Sequence, residues 1–109
     1  MTIDLYKVCI AKVSFLESSG YKVRPVIVVS ESHGEFDVVM AIPISTKTEL
    51  TSVDVKLRDW QESGLKQPSV AFVHRMAAMV AVDVLEEIGQ LSKADQVAIQ
   101  NALRKLFNL

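Results

Sequence analysis

Cysteine is almost missing from this sequence. Cys9 stands alone among 109 residues, which excludes an internal disulfide and any multi-cysteine zinc site. There are two histidines, His33 and His74, and they are not at metal-ligand spacing. Neither sign of charge dominates: twelve basic and thirteen acidic residues give a formal charge of −1. Non-specific coating of a polyanion needs a clear basic excess, so that class is excluded, while a local basic site is not. No apolar run is long enough to cross a bilayer, which takes about 20 residues; the longest is Met76 to Val82. Met1-Thr2-Ile3-Asp4 has neither a positive n-region nor a secretory apolar core, so a soluble, cytoplasmic chain with no membrane contact is expected. Two catalytic signatures are missing as well: a glycine-rich phosphate loop with Lys-Ser/Thr, and a Gly-x-Ser-x-Gly elbow.

What is present is a globular composition, 50% hydrophobic and 23% charged. At this length it is enough for one core, and residues 1–109 are read as a single domain. Strands are expected from about Asp4 to Leu16 (with Val8, Ile10 and Phe15 apolar), over Arg24 to Ser30, and over Asp37 to Ser45. Glu17-Ser18-Ser19-Gly20 separates the first two. Pro25, lacking an amide proton, belongs at a strand's beginning or on an edge. Val53, Val55 and Leu57 alternate with Asp54 and Lys56, the pattern of a half-buried strand with Asp54 turned outward. Trp60 to Pro68 reads as a loop, and a fifth strand opens at Val70. His74 to Ile88 fits neither period well and is read as strand followed by a short extension. Ser92-Lys93-Ala94-Asp95 resembles a capping box. Ile99, Ala102, Leu103, Leu106 and Phe107 then mark one face of a helix. The order predicts a mainly β fold, a small SH3-like barrel or curled sheet, with a C-terminal α-helix.

Four blocks carry a family resemblance. Gly20-Tyr21-Lys22-Val23-Arg24-Pro25-Val26-Ile27-Val28-Val29-Ser30 looks like the signature of the MazF/PemK toxins, a glycine-containing loop leading into Arg-Pro-Val and an apolar strand. Pro43-Ile44-Ser45-Thr46 resembles the family's Pro-Ile-Thr segment. Gly64-Leu65-Lys66-Gln67-Pro68-Ser69-Val70 and Ile88-Gly89-Gln90-Leu91-Ser92 resemble two later blocks, and all four occur in order. The resemblance implies a compact β-barrel with a terminal helix, a homodimer, and metal-independent, sequence-specific cleavage of single-stranded RNA. It also implies an antitoxin partner of the MazE/PemI kind and no cofactor.

The residue types suit that chemistry. When the 2′-hydroxyl of RNA attacks its neighbouring phosphate, charge builds on the phosphoryl oxygens and needs a fixed cation. Arg24 supplies a permanent charge in a planar fork, and the resemblance makes it catalytic; the bland alternative is a surface arginine. Ser45 stands where the family has a catalytic threonine, with Thr46 next to it. It can hold a phosphate oxygen or merely cap a turn. His74 can move a proton near neutral pH or serve in packing. Lys22, Lys47 and Arg75 are candidate phosphate contacts against solvated cations. Trp60 can stack on a base or pack over the barrel end. His33 reads as solvated, and Cys9 as a buried strand residue. Several family members carry an acidic residue near His74 and an Arg-Thr pair beyond it; here Ala77 takes the arginine's place. The rival class is therefore a non-catalytic or gyrase-binding relative of the CcdB type. Met76, Met79, Val80 and Val82 are candidates for a dimer face.

Overall fold

The structure, a computed structural model, describes residues 4–14 and 20–109. The expectations for Phe15 and for Glu17-Ser18-Ser19 fall outside the described residues. Seven strands and one helix follow in order: β1 (Lys7–Ser14), β2 (Tyr21–Val28), β3 (Val38–Ser45), β4 (Val55–Lys56), β5 (Val70–Ala71), β6 (Ala77–Val80), β7 (Val84–Gln90) and α1 (Lys93–Phe107). One-turn 3₁₀ segments join β5 to β6 (Val73–Arg75) and β6 to β7 (Ala81–Asp83). The stretch of ambiguous period thus resolves into two strands with tight turns between.

The strands pair antiparallel in the order β4-β5-β3-β2-β1-β7, with β6 also on β3. The path does not close on itself among the described residues, so the expected barrel is an open, curled sheet. Its curl has a local cause: the β1–β7 register shifts twice, at Val8/Cys9 and at Ile10/Ala11. Such bulges add twist.

Successive residues of β1, β2 and β3 face opposite sides, and both sides are apolar. One face sends Val8, Ile27, Ile42 and Ile44 into a core with Leu57, Val73, Leu91, Ile99 and Ala102. The other sends Cys9, Ala11, Val26, Val28, Val39 and Ala41 against Ala81 and Val84. That explains the continuous apolar run Pro25–Val28 in the second half of β2. Cys9 is buried there, as expected, and burial raises the pKa of its thiol.

Helix α1 begins where the sequence placed it. The Ser92 hydroxyl accepts from the Asp95 amide at 3.2 Å. Only half of a capping box forms, because the Asp95 carboxylate accepts from the amides of Arg58 and Asp59 (3.0 and 2.9 Å) rather than reaching back to Ser92. Asn108, left-handed at φ 57°, ends the helix, its amide donating to the carbonyls of Arg104 and Lys105. Fifteen residues of isolated helix are marginal in water, so the buried Ile99 and Ala102 are what hold it. Phe107 departs from the expected stripe and is exposed.

Two blocks of the sequence signature meet face to face. A Cβ on Gly64 would lie 2.2 Å from the carbonyl oxygen of Ile88, and one on Gly89 would lie 2.3 Å from that of Ser63. Only glycine lets these backbones approach so closely. Trp60 packs against the helix-side core, the alternative to base stacking that the sequence left open.

Candidate active site

A fork in the sheet makes the site. β2 and β3 pair only through Val26–Pro43, Ile27–Ile42 and Val28–Ala41. Before Val26, β2 runs on beside β1 as far as Tyr21. After Pro43, β3 turns to β5 through Ile44–Ala71 and Ser45–Val70. Pro25 and Pro43 lie at the parting and have no amide proton to carry the ladder further. Pro25 is therefore mid-strand, not at a strand's beginning, but it has a partner strand on one side only. Side chains alternate along a strand, so Arg24 shares a face with Val26, and Ser45 with Pro43. Arg24 and Ser45 thus lie on the two strands that part at the fork, and both line the space between them.

A cleft of about 1000 Å³ occupies the fork. Arg24, Ser45, Thr46, Lys47, His74 and Arg75 line it over an apolar base that includes Val26, Ala41 and Met79. Lys22 lies on the same face of β2 but is exposed and outside the lining. Ser45 Oγ accepts from the Lys47 amide at 3.2 Å. The turn-capping alternative is thus present, and it leaves the hydroxyl proton as a donor.

His74 is not in a strand, as the sequence suggested. It sits on the 3₁₀ turn at the point where the partner of β3 changes from β5 to β6. The turn is tied down by Phe72, whose amide donates to the Pro43 carbonyl at 2.9 Å, and by fully buried Val73. The Phe72 ring meets the His74 imidazole edge-on at 5.9 Å, and the Arg75 guanidinium lies 6.0 Å from its centre.

Sequence reasoning missed Asp54. Its alternation with Val53 and Val55 suggested a solvated residue, yet its side chain is 0% exposed and β4 is only two residues long. The carboxylate accepts from the Thr51 amide (2.8 Å), the Thr51 hydroxyl (2.9 Å) and the His74 amide (3.2 Å). It also lies 2.8 Å from His74 Nδ1. Burial pushes its pKa up, but the bonds from His74 and Thr51 outweigh burial and hold it below the ordinary aspartate value. The available signal was Thr51-Ser52-Val53-Asp54, a short Thr-x-x-Asp turn pattern. Among the described residues, no three His, Cys, Asp or Glu side chains cluster as a metal site. Among the described residues, no helix is long and apolar enough to cross a membrane.

A curled antiparallel sheet, covered by a helix on one face and forked around cationic and hydroxyl groups on the other, defines a small β protein with a cleft suited to anions. A family model described as PemK-like, MazF-like toxin of type II toxin-antitoxin system matches residues 7–107, and the chain belongs to that family. Its fold is similar to the Mycobacterium tuberculosis toxin MazF-mt6, at 23% identity and TM-score 0.76, covering 94% of this chain and 97% of that one. It also resembles an endoribonuclease in complex with its cognate antitoxin from Mycobacterial species (17%, TM-score 0.73, covering 96% and 94%). MazE-MazF from Deinococcus radiodurans is a third (12%, TM-score 0.76, covering 100% and 98%). A search of the curated proteins gives no match.

Proposed function

We propose that the protein is an endoribonuclease that cleaves single-stranded RNA, chiefly mRNA in the cytoplasm, at the β2–β3 fork. The observation that carries this is the convergence of Arg24, Ser45 and His74 on one cleft. Its volume is at the upper end for small-ligand sites and suits a length of extended strand. Family membership and the likeness to an endoribonuclease support the same reading.

The RNA supplies its own nucleophile. His74 takes the proton of the 2′-hydroxyl, and the 2′-oxygen attacks the adjacent phosphorus. The 5′-oxygen leaves and is protonated, and a 2′,3′-cyclic phosphate remains. Arg24 faces the phosphoryl oxygens as their charge grows, and the Ser45 hydroxyl donates to one of them, with Thr46 beside it. Lys47 and Arg75 hold flanking phosphates, and Lys22 extends the track beyond the cleft. Charge stabilisation and proton transfer both come from side chains, so the reaction needs no metal or organic cofactor.

The active unit is proposed to be a homodimer. Of the four residues suggested by sequence, Val80 and Val82 are exposed, Val82 at 76%, with Leu85 nearby in sequence at 50%. Met76 and Met79 instead pack on the two cores. Such a patch marks an interface on a small protein. An acidic segment of a MazE/PemI-like antitoxin would inhibit by occupying the cationic cleft.

The test is a pool of single-stranded RNA of varied sequence, incubated with the protein in excess chelator. Discrete fragments ending in cyclic or 3′-phosphate are expected. An intact pool would defeat the nuclease assignment and return the fold to a protein-binding role of the CcdB type.

A further inference from the structure

We propose that Asp54 is the positioning residue of the site: its buried carboxylate fixes the tautomer and orientation of His74 and ties the loop wall of the cleft to the 3₁₀ turn. The assignment rests on the nuclease function proposed above and extends it to a residue that does not line the cleft.

Three observations converge. The Asp54 side chain is 0% exposed, so its charge is held by protein groups and not by water. Its four bonds come from two separate segments, two from Thr51 and two from His74. The carboxylate therefore sets both the backbone and the ring of His74. It accepts from both Thr51 donors and from the His74 amide, and an ionised carboxylate can only accept from the ring nitrogen as well. Nδ1 of His74 must then carry the proton, which leaves the lone pair on Nε2. That is the nitrogen left for the 2′-hydroxyl. Without Asp54 the ring is free to take the other tautomer, in which Nε2 bears a proton and cannot act as a base.

A further contact steadies the turn from below. Lys105 Nζ, in the last turn of α1, donates to the carbonyl of Ser52 at 3.2 Å, within the Thr51–Asp54 turn. The charged groups on the cleft itself are Arg24, Lys47, Glu49 and Arg75. Asp54 is the carboxylate in contact with the ring.

The experiment combines ring ¹⁵N NMR with single-turnover cleavage of RNA in chelator. In the wild-type protein at neutral pH the neutral His74 ring should show the Nδ1–H form. In Asp54→Asn the side-chain amide can donate to Nδ1, and the Nε2–H form should take over. Such a tautomer reversal with geometry kept costs about 10⁴-fold in a hydrolase triad. Removing a general base costs about 10²–10⁴-fold. Asp54→Asn should thus lower kcat by about 10²–10⁴-fold with KM little changed, and His74→Ala,Asp54→Asn should be no slower than His74→Ala. An Nε2–H ring in the wild type overturns the assignment without any variant having to fold. So does a folded Asp54→Asn protein with the Nδ1–H ring and wild-type kcat. If the wild type leaves RNA intact, the nuclease function falls, and the ring tautomers alone decide whether Asp54 sets His74.

Discussion

Two aspartates with covered carboxylates sit in two regions of this molecule and do different work. Asp95, 2% exposed, lies at the start of the helix and holds the amides of Arg58 and Asp59. Both partners are backbone, neither titrates, and the carboxylate also suits the helix N-terminus. Asp54 lies under the cleft wall, and one of its partners is an imidazole that lines the cleft. The first is a staple between helix and loop. The second couples a fixed charge to a proton-carrying ring at a surface open to ligand. Burial of a carboxylate therefore signals nothing about function by itself; the chemical nature of what it holds does.

Breaking the staple should have the largest effect on folding. Asp95→Ala leaves the Arg58 and Asp59 amides without their acceptor. At about 1–3 kcal/mol for each orphaned donor, a loss of about 2–6 kcal/mol is expected in urea unfolding. Cleavage per folded molecule should stay near wild type. A folded Asp95→Ala protein with little stability loss and no activity would reverse the contrast between the two regions.

Arg24→Ala sharpens the contrast from the cleft side. Removing one group that stabilises a transition-state oxyanion costs about 10²–10³-fold in rate, or about 2.7–4 kcal/mol of barrier. Arg24 is half-buried at the mouth of the fork and outside both core clusters, so the thermal midpoint should move little. Cleavage at the wild-type rate would make Arg24 a surface arginine after all.

The smallest effect is a pH dependence. The pKa of Asp54 in the folded protein lies below its ordinary value of 3.8. A depressed folded value means that the carboxylate contributes stability fully above about pH 3.8. The contribution is lost as pH falls through the folded value, because protonation then costs the bonds to His74 and Thr51. Urea midpoints of wild type and Asp54→Asn should differ at about pH 5 and draw together on further acidification. Parallel curves down to about pH 2.5 would show that the carboxylate's charge adds nothing.

Much of this molecule was written in its local pattern. The helix could be placed from Ser92, the Ile99–Ala102–Leu103 spacing and the terminal cations, because capping and amphipathic period are properties of adjacent residues. The three long strands followed from β-branched runs; Arg24 and Ser45 were chosen from the blocks that contain them, and His74 from its place after the Gly64–Val70 block. All three line one cleft. What the local pattern could not decide was which way a side chain faces when both sides of a strand are covered. A period of two puts Asp54 and Val55 on opposite sides, but it does not say that the Asp54 side is closed. Nor could it show that β3 changes partner after Pro43, that Gly64 lies against Ile88, or that His74 stands on a turn over a buried carboxylate. Those are contacts between segments about 20 or more residues apart, and only the packed sheet brings them within hydrogen-bonding reach.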